Sequence, residues 1–531
     1  MPPTERGRGA AETLARAGGW LSHGPRLRVL GVGLFCLVAL GVWWAGFYPG
    51  VMTYDSRQQW EQAEAWVFVD WHPVFHTWLI AVLTRIWFSP AIVTLAHAVA
   101  LAAVLASVTR RLERARVPPA WAVVVPCLVA LNPAVGLMVP LVWKDVPFAI
   151  SVLWLLAEVI DLVAAPDRYL ARWYRPARLV AAAVAVLGFR HNGLVIVGAV
   201  AAALAITQWR HRHRLVLVLL AVAAANLVIE QGVYRYLGAH EPPVFLSYVT
   251  FVHDMGAFVA LHWDEMTPQE REFLEQVLPH ERWQESYVCG QATALVVNPH
   301  FLAPDAPERI GQPDELADYP QSAFLEQHKA EFRELWFRFV RRWPGTWVDH
   351  HLGCVGTLGW LPWHLTGLEV LGPPLETMDE DLPATEPLSD ELNETLTAVN
   401  AWWSDNGRSD APWTVRWRRA VTWRAVIWCY LGLAAVGVAA WRRRDWRFLA
   451  VGAPLAAAQL SVALITPGQS TRYMFPAYLC ALVCLAFFAP LRRPRADSDA
   501  DTATATDIGR SADSSTPFDP ADRDDQPVAG S

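Results

Sequence analysis

The sequence predicts an all-α polytopic membrane protein with about ten transmembrane helices, juxtamembrane helices and a mainly helical extracytoplasmic segment. Three observations predict this class. Of the 531 residues, 53% are hydrophobic and only 18% are charged. The charged residues are clustered between long apolar runs, and most of those clusters are rich in arginine. A soluble globule would distribute its charge over the whole chain instead.

The two ends of the chain are predicted to be disordered and cytoplasmic. Residues 1–26 precede the first apolar run, and residues 491–531 form an acidic tail with too little apolar content to fold. The run at 27–47, "LRVLGVGLFCLVALGVWWAGF", has the position of a signal peptide, but its apolar core is too long and no small-residue cleavage site follows. It reaches ~30 Å as a helix and is interpreted as a retained first span.

Arginine clusters predict the topology. They occur at 110–116, 168–178, 210–214, 442–447 and 492–495, and further arginines precede or begin the first span. If all of them are cytoplasmic, both termini lie inside. The predicted spans are then 27–47, 90–109, 120–140, 146–165, 175–189, 193–209, 214–233, 420–441, 447–466 and 473–490.

Two segments fit this predicted topology less well. Counting 74–88 as a span would place the cluster at 110–116 outside, so we interpret it as a juxtamembrane helix in the outer interface. A single helix over 175–209 would break the charge rule downstream, so two short spans are preferred. Glu158 and Asp161 lie toward the end of the fourth span and are interpreted as interfacial.

The segment 234–419 holds no clean span and is predicted to lie outside, between a membrane core at 27–233 and C-terminal spans at 420–490. Its stretch "AEFRELWFRFVRRW" has apolar residues at helical spacing, which predicts a helix on the outer leaflet or on the segment's own core. Cys289 and Cys354 both fall in this segment, and the sequence leaves a disulfide between them open. The "DHH" at 349–351 is interpreted as a solvated turn.

Polar groups gather in the predicted outer loops, above all in the first one, 48–89. Four cations occur nearly singly, and three aspartates accompany them. These residues are Arg57, Lys144, Arg190, Arg472, Asp55, Asp70 and Asp145. Scattered surface charge has no need to converge on one membrane face from loops so remote in sequence.

Asp55 is the strongest candidate among them. It is predicted to open a helix with Ser56, because Ser56 and Gln59 have capping-box spacing and Trp60, Ala63 and Val67 then form an apolar stripe. A carboxylate at a helix N-terminus stays ionised and ready to accept a proton. The alternative is that Asp55 merely caps the helix.

The combined loops suggest a reaction. A carboxylate that takes a proton from a hydroxyl, with cations that stabilise a departing phosphate, is what glycosyl transfer from a lipid phosphate requires. Arg190 and Arg472 fall where apolar helix gives way to loop, at the depth of lipid phosphate. The alternative for each arginine alone is interfacial snorkelling.

Several motifs resemble the GT-C superfamily of integral-membrane glycosyltransferases, which use polyprenyl-phosphate sugars and include protein O-mannosyltransferases and the lipid A aminoarabinose transferase. The motifs are "FYPGVMTYDSRQQWEQAEAW", "DWHPVFHTWLI", "LNPAVGLMVPLVWKDVPFA", "FRHNG" and "RYMFP". They resemble an uncharacterised bacterial branch and cover 27–233 and 420–490. The resemblance implies that Asp55 is the catalytic base and that Asp145 helps to arrange the acceptor or a metal. It also implies that Arg190, Arg472 and Lys144 bind the donor phosphate.

Further residues are predicted to contact substrate, namely Arg57, His72, His76, His191 and Tyr473. His72 and His76 are four residues apart and could share a metal, but no third ligand is evident and interfacial polar residues are preferred. Many members of the superfamily carry two adjacent acids in the first loop. Ser56 follows Asp55 here, so a divalent metal is left open as a cofactor.

The predicted function is an inverting transferase of the inner (plasma) membrane, which moves a sugar from a polyprenyl phosphate to an acceptor hydroxyl on the extracytoplasmic face. The acceptor would be a glycan, lipid or protein of the cell envelope, and no nucleic-acid partner is expected. A transporter or flippase of lipid-linked sugars is the alternative, and a non-catalytic scaffold is weaker. No nucleotide-binding loop of the GxxxxGK[ST] kind occurs, which argues against an ATP-driven pump.

Overall fold

A computed structural model describes residues 24–240, 248–290, 292, 295, 321–360, 388–404, 422–466, 468 and 470–490. The described residues are almost entirely helical, and their only β pairings are two isolated bridges. Of the predicted disordered ends, 1–26 and 491–531, residues 1–23 and 491–531 lie outside the described residues, as do parts of 234–419. The predicted bound at residue 26 was wrong, because the first helix begins at Pro25.

The helices of the first half of the chain carry the labels used below. They are α1 Pro25–Gly46, α2 Tyr54–Ala65, α3 Val74–Thr84, α4 Pro90–Arg114, α5 Pro119–Leu131, α6 Pro133–Met138, α7 Asp145–Ala164, α8 Pro166–Leu170, α9 Tyr174–Phe189, α10 Gly193–Thr207 and α11 Arg212–Val228. A π-helical turn, Ile229–Tyr234, continues α11.

The second half continues the numbering. Its helices are α12 Val249–His262, α13 Pro268–Val277, α14 His280–Ser286, α15 Gln321–Gln327, α16 Lys329–Arg342, α17 Pro344–Val348, α18 Thr357–Trp360, α19 Asp390–Ser404, α20 Ala425–Arg443, α21 Ala453–Ile465 and α22 Thr471–Cys484. Short 3₁₀ or π segments extend several of them, including Asp349–Val355, Trp446–Gly452 and Leu485–Phe488.

Within the described residues, seven helices are long and apolar enough to cross a bilayer. They are α1, α4, α7, α11 with its flanking turns, α20, α21 with its leading turn, and α22 with its trailing turn. The fold is therefore that of a multi-pass helical membrane protein. The shorter apolar helices α5 and α10 fall within two of the predicted spans, and the total of about ten crossings stays a prediction.

The third predicted span, 120–140, is broken at Asn132. Pro133 cannot continue α5, and the Asn132 side chain caps α6 by accepting from the backbone N–H of Ala134 at 2.9 Å. Its amide nitrogen donates to the hydroxyl of Tyr478 at 2.8 Å. A polar residue inside the apolar region is thus fully bonded.

The central helix is α7, and 94% of its apolar window is buried inside the protein. Lipid can cover an apolar helix in a membrane, but α7 also carries buried carboxylates, and α4, α9 and α22 pack around it. The N-terminus of α7 therefore lies at the end of the helix bundle, and other segments enclose it.

The loop after α1 is tied to the loop before α7. The backbone of Val51 pairs with residues 140–142, through bonds of 2.8 Å to the Pro140 carbonyl and 3.1 Å from the Val142 N–H. Gly50 precedes this bridge with φ of +136°, and a Cβ there would meet the Thr94 methyl at 2.9 Å. Only glycine suits that backbone, and the turn delivers α2 to the start of α7.

Ion pairs join the helices at the opposite end of the bundle. Arg28 meets Glu113 at 2.6 Å, Arg111 meets Glu158, and Arg114 meets Asp161 at 2.6 Å. Glu158 is fully buried and Asp161 nearly so. Their interpretation as interfacial residues was wrong, because cations from α4 reach both.

Helices α12, α13 and α16 share a second hydrophobic core. Phe332, Leu335 and Phe339 of α16 are buried in it beside Phe258, so this amphipathic helix covers its own segment's core. Cys289 and Cys354 form a disulfide in this segment, with their Cα atoms 6.1 Å apart.

The "DHH" stretch is not a solvated turn, because His350 and His351 are both buried. Their Nε2 atoms lie 3.4 and 2.8 Å from one oxygen of the buried Asp254 carboxylate. The indoles of Trp336 and Trp347 donate to the other oxygen at 2.9 and 3.1 Å. The π-helical turn Asp349–Val355 carries the two histidines, so sequence spacing gave no sign of this arrangement.

Candidate active site

The helix that carries Asp55 begins at Tyr54, three residues earlier than a capping box with Ser56 as the N-cap residue required. Thr53 is the N-cap residue, and no side chain caps this helix. The capping box was wrong: Ser56 is buried against Thr53, with 3.1 Å between the two hydroxyl oxygens. The helix ends at Ala65, so Val67 lies beyond it, although Trp60 is buried as expected. Asp55 itself lies in the first turn, where the helix dipole favours its anion.

Asp55 is paired with two cations from distant segments. Arg472, at the start of α22, donates from Nη1 to Oδ2 of Asp55 at 2.7 Å. Lys144, immediately before α7, brings Nζ to 3.7 Å from the same oxygen. The Asp55 side chain remains 26% exposed, so it is open to approach despite both ion pairs.

Asp145 forms the second ion pair. Its Oδ1 accepts from the guanidinium of Arg190, which follows α9, and Asp145 is buried. The other oxygen, Oδ2, is buried without a hydrogen-bond partner. Asp145 therefore retains a free acceptor inside the site.

Tyr473 connects the two ion pairs. The guanidinium of Arg190 lies over its ring, 4.5 Å from the centroid. Its hydroxyl accepts from Nη2 of Arg472 at 3.2 Å. Five of the predicted residues, Asp55, Asp145, Arg190, Arg472 and Tyr473, thus form one connected cluster, and Lys144 joins it through Asp55.

His72 extends the cluster through Lys144. Its Nδ1 lies 2.6 Å from Lys144 Nζ, and since the ammonium has only protons to give, Nδ1 is the acceptor. The neutral ring then carries its proton on Nε2, which is buried without a partner. His72 therefore presents a spare donor close to both carboxylate pairs.

His76 has a different function in the fold. Its Nδ1 lies 3.0 Å from Oε1 of Gln59, and Gln59 donates to the Thr77 hydroxyl at 3.0 Å. These bonds fasten α2 to α3. His72 precedes α3 and His76 lies within it, and the two imidazoles engage separate partners.

A shared metal does not fit these residues. The carboxylates of Asp55 and Asp145 each face an arginine, and His72 and His76 bind Lys144 and Gln59. In the part of the chain that the structure describes, no three His, Cys, Asp or Glu side chains are grouped so that they could hold a metal ion.

Two of the predicted contact residues lie outside the cluster's ion pairs. His191 is 61% exposed, with Nε2 at 3.7 Å from Oδ1 of Asp70. Arg57 is half-buried and lies two residues after Asp55 in α2. The role of both residues as substrate contacts stays a prediction.

The cations set the protonation of the site. Burial by itself would raise the pKa of Asp55, but the Arg472 guanidinium and the Lys144 ammonium hold that pKa well below its usual range. Burial lowers the pKa of Lys144 from 10.5 to about 7, opposed by Asp55 and reinforced by Arg472. Burial and the adjacent Lys144 also keep the pKa of His72 well below its ordinary value. At neutral pH Asp55 is ionised, His72 is neutral and Lys144 is close to half-protonated.

The site is therefore cationic and incompletely bonded. Asp55 and Asp145 face Arg190, Arg472 and the titrating Lys144, so positive charge exceeds negative charge whenever Lys144 is protonated. Three buried atoms lack partners: Nε2 of His72 and Nε of Arg472 are donors, and Oδ2 of Asp145 is an acceptor. Such an arrangement suits an anion together with a hydroxyl group.

Sequence reasoning missed the residues that hold this cluster in place. The Trp143 indole donates to the Thr53 hydroxyl, and the Arg472 guanidinium lies 5.1 Å from the Trp143 ring centroid. The sequence predicted that Gln59 belongs to a capping box, whereas its side chain bonds to His76. The position of Trp143 next to Lys144 was the only available signal.

Fold and site together define a multi-pass helical membrane protein with a buried, net-cationic cluster at one end of its helix bundle. No protein-family model, curated protein or solved structure matches the chain. The function is therefore argued from the cluster itself.

Proposed function

We propose that the protein is a membrane glycosyltransferase of GT-C type. It would move a sugar, with inversion, from a polyprenyl-phosphate donor to an acceptor hydroxyl on the extracytoplasmic face of the inner (plasma) membrane. The acceptor would belong to a cell-envelope glycan, glycolipid or protein. Both termini would then lie in the cytoplasm.

The observation that carries the proposal is the Asp55–Arg472 pair and its extension through Tyr473 to Arg190 and Asp145. The first turn of α2 and the starts of α7 and α22 have no local reason to meet. What they assemble is one ionised carboxylate that is partly open, one buried carboxylate with a free oxygen, and several cations.

The roles follow from charge and hydrogen-bonding capacity. The acceptor hydroxyl oxygen attacks the anomeric carbon, the bond from that carbon to the phosphate oxygen breaks, and polyprenyl phosphate leaves. Asp55 takes the hydroxyl proton. Arg190, Arg472 and Lys144 stabilise the phosphate as its negative charge grows, and Nε2–H of His72 is a further donor to it. Oδ2 of Asp145 accepts a hydrogen bond from a sugar or acceptor hydroxyl.

The Asp55–Arg472 pair implies an order of binding. While Arg472 holds Asp55, the carboxylate is a weak base, because its proton affinity is suppressed. A donor phosphate competes for the same guanidinium, and once Arg472 turns to the phosphate the pKa of Asp55 rises. Donor binding therefore prepares the base before the acceptor arrives.

The decisive experiment is a transfer assay. Purified protein in detergent or nanodiscs is given a radiolabelled polyprenyl-phosphate sugar and envelope extract, and transferred label is counted. Wild-type protein and Glu64→Gln, which changes an exposed acid on the same helix, should both transfer label. Asp55→Asn should not, although it folds normally. Absence of transfer by the wild type with every donor would refute the proposal.

A transporter or flippase of lipid-linked sugars is the second candidate, favoured by a specific observation. Ion pairs close both ends of α7, with Asp145–Arg190 at one end and Glu158–Arg111 at the other. Paired ionic gates would suit alternating access. Movement of a labelled lipid between vesicle leaflets, without any glycosylated product, would favour this function over transfer.

A further inference from the structure

An open cavity lies at the opposite end of the bundle from Asp55. It occupies about 600 Å³ beside the turn between α20 and the 3₁₀ segment Trp446–Gly452. The lining residues that matter here are Trp441, Arg442, Arg444, Asp445, Trp446 and Leu449. None of them belongs to the proposed catalytic cluster.

The charge around this cavity is predominantly positive. Arg442 donates to the carbonyls of Phe488 and Ala489 at 2.8 and 3.2 Å, which fixes its guanidinium at the cavity wall. Arg443 donates to the carbonyl of Ala115 and so brings the end of α4 alongside. Asp445 is the one acid in the lining. One of its carboxylate oxygens caps the next helix by accepting from the backbone N–H of Arg447 at 3.1 Å. An anion entering the cavity would therefore meet excess positive charge.

The backbone beside the cavity has an unusual conformation at two arginines. Arg444 has φ of +52° and occupies the C-cap of α20, where glycine or asparagine is the usual residue. Arg116, at the nearby end of α4, has φ of +62°. Arginine in this conformation costs about 1 kcal/mol relative to glycine, so replacing Arg444 by glycine tests the cavity without cost to the backbone.

Exposed apolar side chains complete the surroundings. Trp441 is 78% exposed, Trp446 56% and Leu449 51%. Tryptophan at the end of a membrane span typically lies at the depth of lipid headgroups. The cavity thus combines arginines for a phosphate with apolar surface for the start of an acyl chain.

We infer that this cavity binds the headgroup of an anionic phospholipid. Arg444 and Arg442 hold the phosphodiester, and Trp441, Trp446 and Leu449 contact the glycerol and upper acyl region. The inference is independent of the proposed glycosyl transfer. General attraction of basic loops to an anionic membrane is the competing explanation, and the experiment must separate the two.

The test uses the full-length protein in nanodiscs and in detergent. Binding of phosphatidylglycerol and of phosphatidylcholine is measured by native mass spectrometry, with and without inorganic phosphate. The variant Arg444→Gly removes the side chain while suiting the backbone, so it should fold at least as well as wild type. The control Arg214→Ala removes an exposed arginine from the turn that is predicted to face the same leaflet.

We expect wild type to retain phosphatidylglycerol in preference to phosphatidylcholine, and Arg444→Gly to weaken that binding about tenfold, the effect of losing one charge-assisted hydrogen bond to the phosphate. Arg214→Ala should change it little. Equal losses in both variants would mean general electrostatic attraction and would overturn the inference. Equal retention of the two lipids, or full displacement by inorganic phosphate, would also overturn it.

Discussion

Buried carboxylates lie near both ends of helix α7, and two of them, Glu158 and Asp145, differ in how completely they are bonded. Glu158 receives hydrogen bonds from Arg111, Tyr169 at 2.8 Å and Trp154 at 3.2 Å, with Arg178 3.2 Å away. Asp145 receives Arg190 on one oxygen and leaves the other unpaired.

This difference separates a structural contact from a binding site. A fully bonded buried ion pair fixes the arrangement of helices and has no capacity for a ligand. A partly bonded one leaves desolvated groups whose bonding improves when a ligand arrives. The helix end at Glu158 is therefore expected to govern stability, and the end at Asp145 with Asp55 is expected to govern activity.

The largest expected effect is that of Asp55→Asn. Replacing the proposed base should lower kcat about 10²- to 10⁴-fold, while the free energy of unfolding should fall by less than in Glu158→Gln because Asp55 is partly exposed. Single-turnover transfer and a denaturant titration on the same preparation measure the two quantities. If stability fell together with activity, the end of α7 at Asp145 and Asp55 would not differ in its role from the end at Glu158.

Glu158→Gln should have the opposite profile. It leaves Arg111 and Arg178 facing a neutral amide in a buried site, and we expect the free energy of unfolding to fall by about 3 kcal/mol. The protein that remains folded should keep a normal KM for the donor. If transport is the true function, this variant should instead alter the rate of lipid movement, because one gate would be broken.

The pH dependence of donor binding sharpens the comparison further. The pKa of Lys144 is lowered to about 7, so the residue is cationic below that pH and loses its charge above it. Asp55 stays ionised throughout, because its pKa is held far lower. We expect KM for the donor to rise about tenfold between pH 6 and 8, the size of one charged hydrogen bond.

Lys144→Arg is the matched variant for that experiment. Arginine keeps its charge across this range, so its KM should be nearly independent of pH. A wild-type KM that does not change between pH 6 and 8 would show that Lys144 does not contact the donor phosphate.

The smallest effects come from a matched pair of tyrosine substitutions. Tyr169→Phe removes a donor to Glu158 and should lower the free energy of unfolding by about 1 kcal/mol without changing kcat. Tyr473→Phe removes the hydroxyl that accepts from Arg472, and it should lower kcat several-fold with less effect on stability. Identical profiles for the two variants would mean that both clusters are structural.

Much of the architecture could be predicted from the sequence, because apolar run length and arginine placement are local properties. The bounds of α1, α4, α7, α11 and the last three long helices follow the predicted spans closely. The same logic predicted that Asp55, Asp145, Arg190 and Arg472 would converge. Each of these residues lies next to an apolar run, and the length of that run determines which end of the bundle the residue reaches.

What only the tertiary structure decided is which groups are bonded. No spacing rule relates Asp55 to Arg472, His76 to Gln59 or Asp254 to two histidines on a π-helical turn. Those contacts depend on helix rotation and on the Val51–Leu141 bridge, which are set by packing across hundreds of residues. Hydrophobic patterning determines the depth of a residue along the bundle, whereas side-chain packing in three dimensions determines its partner.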